Sequence, residues 1–71
     1  MKVEKRSVLL SGHATSVSLE VAFWDELKRI AAARNCSVNA LVESVDLERS
    51  GNLSSALRVF VLRALQDGRP T

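Results

Sequence analysis

Seventy-one residues and 7.8 kDa confine the chain to one small domain. Charged residues at 25% and apolar runs far shorter than the roughly 20 residues of a spanning helix exclude an integral α-helical membrane protein. One cysteine, Cys36, and one histidine, His13, exclude a disulfide framework and a His/Cys metal site, while a net charge of +2 permits nucleic-acid contact without requiring it.

Residues 1–6 carry Lys2, Lys5 and Arg6 against Glu4 and read as a basic amino-terminal arm. The apolar run Val8-Leu9-Leu10 stops at Ser11-Gly12, too short for a signal peptide, so a cytoplasmic location is expected. Ser7 to Leu10 is β-prone, and Ser11-Gly12-His13-Ala14 fits either a hairpin loop or a bend. Thr15, Val17 and Leu19 then alternate with Ser16 and Ser18, the period of a half-buried strand. From Glu20 the period turns helical. Phe23, Leu27 and Ile30 form a stripe with Trp24 and Ala31 beside it, and Asn35 is a fitting left-handed terminator. Ser37 stands at an N-cap position before Val38, Leu41, Val42 and Val45, whose helix is predicted to run to about Arg49. Leu53, Ala56, Leu57, Phe60, Val61, Ala64 and Leu65 recur three and four apart in a third helix, capped by Asn52 or Ser54 and closed by Gly68. Val59 and Leu62 widen its apolar face. The domain thus covers residues 7–67, followed by a flexible tail at 68–71.

An isolated strand forms no stable sheet, and a chain this short buries only about 60% of its unfolded surface. Pairing the strand with its copy in a second chain meets both needs. The expected fold class is therefore mainly α with one short β-strand, completed by a partner.

The order of strand, helix, tight turn and Ser37-Val38-Asn39 opening a second helix resembles the ribbon-helix-helix family of the Arc and MetJ repressors. Thr15-Ser16-Val17-Ser18-Leu19-Glu20, Phe23-Trp24, Ala31-Ala32-Ala33-Arg34 and Gly51-Asn52-Leu53-Ser54-Ser55-Ala56-Leu57-Arg58 resemble a bacterial branch of it with an added C-terminal helix. The resemblance spans roughly Lys5 to Leu65. It implies an intertwined homodimer in which two strands, one per chain, pair into an intermolecular antiparallel β-ribbon that enters the major groove of double-stranded DNA. On that pattern Thr15, Val17 and Leu19 face the helices, and Ala14, Ser16 and Ser18 face the bases. Ser37, Val38 and Asn39 meet a phosphate at the positive end of the helix dipole. Lys5 and Arg6 add phosphate contacts from the arm, and Val17, Leu19, Trp24, Leu57, Phe60 and Val61 make the dimer core. Two departures stand out. Ala14, Ser16 and Ser18 replace the long polar readers of the family, which leaves direct readout weak or delegated to His13 and the Lys5-Arg6 arm. The run Ser7 to Leu10 is extra, and as a hairpin it would make the dimer's sheet four-stranded.

Each of these residues also has a plain structural reading. Serines fill the wet face of any strand, Ser37 is an N-cap in either case, and Lys2, Lys5 and Arg6 could simply be a solvated tail. Phe23 and Trp24 read as core or dimer seam, His13 as a loop residue and Cys36 as a small buried or half-buried filler. Glu43, Asp46 and Glu48 share no helical face and read as solvated surface, so no metal is expected. Nothing resembles a catalytic set or a Gly-rich phosphate loop, and a chain this small has little room for a pocket of several hundred Å³. The reading is a cofactor-free, non-enzymatic transcriptional regulator acting as a homodimer on duplex DNA. The alternative is a dimeric protein-interaction module that keeps the fold without DNA binding.

Overall fold

The computed structural model describes residues 2–68. Two strands precede three helices: β1 (Val3–Leu10), β2 (His13–Glu20), α1 (Val21–Ala33), α2 (Val38–Glu48) and α3 (Leu53–Asp67). Ser11 and Gly12 between the strands both have positive φ, 51° and 81°. That is the backbone of a type I′ turn, whose twist matches the strands it joins. β1 and β2 accordingly close as an antiparallel hairpin, with Leu10 opposite His13 and Val3 opposite Glu20.

Two expectations change here. The chain carries two strands of eight residues in place of one short strand, and β2 pairs with β1 of the same chain. Residues 3–6 of the expected arm belong to β1, while Met1 and residues 69–71 of the expected tail lie outside the described residues.

Strand alternation sorts the sheet into two faces. Val8, Val17 and Leu19 turn inward and are buried, with Arg6 opposite Val17 and Glu4 opposite Leu19 on the same face. Against them pack Trp24, Leu27, Ile30 and Ala31 from α1, Leu41 and Val42 from α2, and Leu57 and Val61 from α3. Burying a leucine-sized side chain contributes about 1.5–3 kcal/mol, and all five elements supply such residues. Val17, Leu19, Trp24, Leu57 and Val61 are thus buried within a single chain, without the second copy expected to cover them. Phe60 is half-buried beside them, with the Arg34 guanidinium 5.3 Å from its ring centroid.

The start of the hairpin is tied to α1. Trp24 Nε1 donates to the Glu4 carbonyl at 2.8 Å, and the Val21 N–H donates to the Lys2 carbonyl at 2.9 Å. The helix ends follow the sequence signals. Asn35 takes φ 56° just past α1, Ser37 Oγ accepts from the Ala40 N–H at 3.0 Å, and Asn52 Oδ1 accepts from the Ser55 N–H at 3.1 Å.

Glu20, at the start of α1, makes no side-chain cap. Its carboxylate instead receives Arg58 of α3, Nε to Oε1 at 2.9 Å and Nη2 to Oε2 at 3.3 Å. The Arg58 hydrogen bond, helped by a backbone N–H, holds the Glu20 carboxyl below the usual carboxylate range. A carboxyl lowered in the folded state contributes stability above its unfolded value, which is lost as pH falls through the lowered folded value. The expected result is a urea midpoint that drops on acidification, with Glu20's share of that drop absent in Arg58→Met. An unchanged acid dependence in Arg58→Met contradicts this assignment.

Candidate nucleic-acid interface

The outer face of the hairpin bears no helix. β2 presents Ala14, Ser16 and Ser18 there, and β1 presents Leu9, Ser7 and Lys5 directly opposite them in that order. All six side chains are exposed. Ala14, Ser16 and Ser18 thus share one open face, as the strand period predicts. Lys5 joins them from β1, opposite Ser18, and not from an arm.

Arg6 does not join them. Its parity turns it to the helical side, where Nε donates to Glu4 Oε1 at 2.6 Å and the guanidinium lies 5.4 Å from the Trp24 ring centroid. Trp24 itself is 1% exposed and offers no face for a base to stack on.

The two edges of the hairpin differ. Antiparallel pairs alternate between residues that bond across the ladder and residues whose backbone groups point away from it. Leu9 is of the second kind, because its N–H and carbonyl both bond to Asn39 of α2: N–H to Oδ1 at 2.7 Å, and Nδ2 to the carbonyl at 3.0 Å. Its partner Ala14, and by parity Ser16 and Ser18, therefore aim their N–H and carbonyl groups out of the free edge of β2. Among the described residues, only Ser18 receives a hydrogen bond on that edge, from Ser54 Oγ to its carbonyl at 3.2 Å. Beside it lies an open groove of about 270 Å³ lined by Thr15, Ser16, Val17, Leu53 and Ser54. A second groove of about 460 Å³ runs between the end of α2 and α3, past Val45, Ala56, Val59 and Phe60, and is larger than expected of so short a chain. Arg49 and Asn52 line both grooves.

Ser37, Val38 and Asn39 do open α2. The N–H groups of Val38 and Asn39 precede the intrahelical ladder, and the Ser37 hydroxyl accepts from Ala40 while keeping its own proton to donate. The Asn39 side chain, expected to donate to a phosphate, is engaged at both ends by Leu9. Glu43, expected as solvated surface, accepts from the Ser11 N–H at 3.1 Å. Sequence periodicity could not place either contact, since each joins positions 30 or more residues apart. Cys36, expected as a buried or half-buried filler, is exposed in the turn between α1 and α2. Among the described residues, no cluster of His, Cys, Asp or Glu is arranged to hold a metal ion, and no helix is long and apolar enough to cross a membrane.

The family profile described as the ribbon-helix-helix domain matches residues 3–65, nearly the whole chain. The chain belongs to the ribbon-helix-helix family. A solved structure of an uncharacterized protein from Bordetella pertussis Tohama I superposes with a TM-score of 0.80 at 39% identity. The match covers 92% of this chain and 57% of that one, so this ribbon-helix-helix chain spans little more than half of its relative's length. No curated protein matches it significantly. Ribbon-helix-helix domains are in general DNA-binding regulatory modules.

Proposed function

We propose that the protein is a homodimeric, double-stranded-DNA-binding transcriptional regulator of the bacterial cytoplasm, without enzymatic activity or cofactor. The observation that carries this is the open edge of β2 beside an exposed outer face on which β2 presents only the small side chains Ala14, Ser16 and Ser18. Antiparallel pairing of that edge with its copy satisfies the N–H and carbonyl groups of Ala14 and Ser16. The open groove beside the edge leaves its backbone accessible to a partner strand, and Val59 and Leu62, about half exposed on α3, give apolar surface to cover.

The dimer's sheet is then four strands wide, with the two β1 strands outermost. Three strand spacings of about 4.8 Å set those strands about 14 Å apart, against a major groove about 12 Å wide. The sheet is then wider than the groove: the central β2 strands turn Ala14, Ser16 and Ser18 toward it, while Lys5 and Ser7 of β1 lie over the rims where the phosphates run. Ser37 and the backbone N–H groups of Val38 and Asn39 take a further phosphate. Serine hydroxyls make no bidentate pairs with a base, so affinity is mostly electrostatic and selectivity modest.

Measuring affinity for a mixed-sequence duplex across a salt series tests this. The expected plot of log affinity against log salt has a clear negative slope. Lys5→Ala flattens it by about 0.9 for each phosphate no longer neutralised, hence about 1.8 for the two copies in a dimer. The second reading, a dimeric protein-interaction module, draws on Val3 and Leu9, each 55% exposed on the same outer face. A dimer with no measurable affinity for duplex at low salt decides for it.

A further inference from the structure

The two long-range hydrogen-bonded residues of α2 have a role that their positions alone do not suggest. Leu9 lies off the ladder, so its backbone N–H and carbonyl need partners from outside the hairpin. The Asn39 amide supplies a donor and an acceptor on the same side, as a neighbouring strand would, at 3.0 and 2.7 Å. One turn further along α2, Glu43 accepts from the N–H of Ser11, the first residue of the turn. Trp24 and Val21 fix the other end of the hairpin to α1. Apart from the half-buried Leu10 and the buried Val8 behind it, the tip rests on Asn39 and Glu43, since Ser11, Gly12, His13 and Ala14 are all exposed.

We infer that Asn39 and Glu43 are positioning residues: a clasp that holds the hairpin tip against the first turns of α2, so that the outer face and the α2 amino terminus meet a duplex as one rigid unit. The inference rests on the DNA-binding reading for its consequence and on the clasp geometry for its substance. Asn39 then acts through Leu9 and not through its side chain on a phosphate. Glu43 gives the sharper sign. Removing a carboxylate near DNA favours binding electrostatically, whereas removing half of a clasp weakens it.

Two readouts on the full chain separate these roles. In the DNA-free protein, Asn39→Ala is expected to speed amide exchange at Leu9 about fivefold, the loss of one hydrogen bond of average strength. Glu43→Ala is expected to do the same at Ser11. Against a mixed-sequence duplex, both variants bind more weakly with the salt slope unchanged, and Glu43→Gln, which keeps an acceptor for Ser11, restores binding. The inference is overturned by unchanged exchange at Leu9 and Ser11. It is equally overturned by Asn39→Ala flattening the salt slope, as removal of a phosphate ligand would, or by Glu43→Ala binding more tightly than the wild type. Should the wild type bind no duplex, the DNA-binding reading fails and the exchange rates alone decide the clasp.

Discussion

Leu19→Asp unfolds the protein, whereas Ser18→Asp, its neighbour on the same strand, leaves it folded. Leu19 is fully buried, and Glu4 stands directly across from it on the same face. An aspartate there is both desolvated and opposed by a like charge, at a cost of several kcal/mol. That is comparable to the whole stability of a small domain, about 5 kcal/mol. Ser18 lies on the open face opposite Lys5, so an aspartate there gains a cross-strand pair contributing roughly 0.2–1 kcal/mol. Val17→Asp falls between the two. Its site is 4% exposed, but Arg6 lies across from it and can partly compensate a carboxylate. Circular dichroism and urea midpoints for the three variants test this ranking. Equal destabilisation at 18 and 19 would mean that the outer face is covered.

That ranking depends on hairpin register, and the register marks where sequence reading succeeds and where it stops. The three helices are legible because their apolar residues repeat at helical spacing and their ends carry Ser37, Asn52 and Asn35, whose roles are local. The inward face of β2 is legible for the same reason, since Val17 and Leu19 alternate with serines. β1 is not. Glu4, Lys5 and Arg6 are polar on both faces, so period-two alternation leaves no mark. Arg6 faces inward by strand parity, and the Trp24 ring and the Glu4 carboxylate accommodate its charge there. Ser11-Gly12 leaves a bend and a hairpin equally open, and positive φ at both residues decides between them. The candidate interface is legible to the same extent. Parity gives Ala14, Ser16 and Ser18, whereas Lys5 opposite Ser18, and Asn39 on Leu9, follow from pairing between distant segments. The apolar breadth of α3 reads in the sequence as demanding a partner. Leu57 and Val61 find cover inside the chain, and only Val59, Leu62 and Leu65 remain substantially exposed.

Ser16→Pro is expected to leave a folded monomer in place of the proposed dimer and to abolish the proposed DNA binding. Ser16 shares the parity of Ala14 and Ser18, so its N–H points out of the free edge of β2 and contributes nothing to the hairpin ladder. Proline removes that N–H and is tolerated on an edge strand, where no ladder bond is lost. Within one chain the substitution touches none of the buried residues, so helical content should persist, with some loss of stability from the restricted φ. In the proposed dimer it deletes a β2–β2 hydrogen bond donor from each copy. The wild type, if its β2 edges pair, has a thermal midpoint that rises with protein concentration, because dissociation is coupled to unfolding. The variant should show a concentration-independent midpoint and a sedimentation mass of one chain. Loss of duplex binding follows, since a single β2 strand places half of the base-facing residues and half of the phosphate ligands. A variant that stays dimeric would move the interface away from the β2 edge, toward the exposed stripe of α3. A wild type whose midpoint ignores concentration would remove the dimer itself.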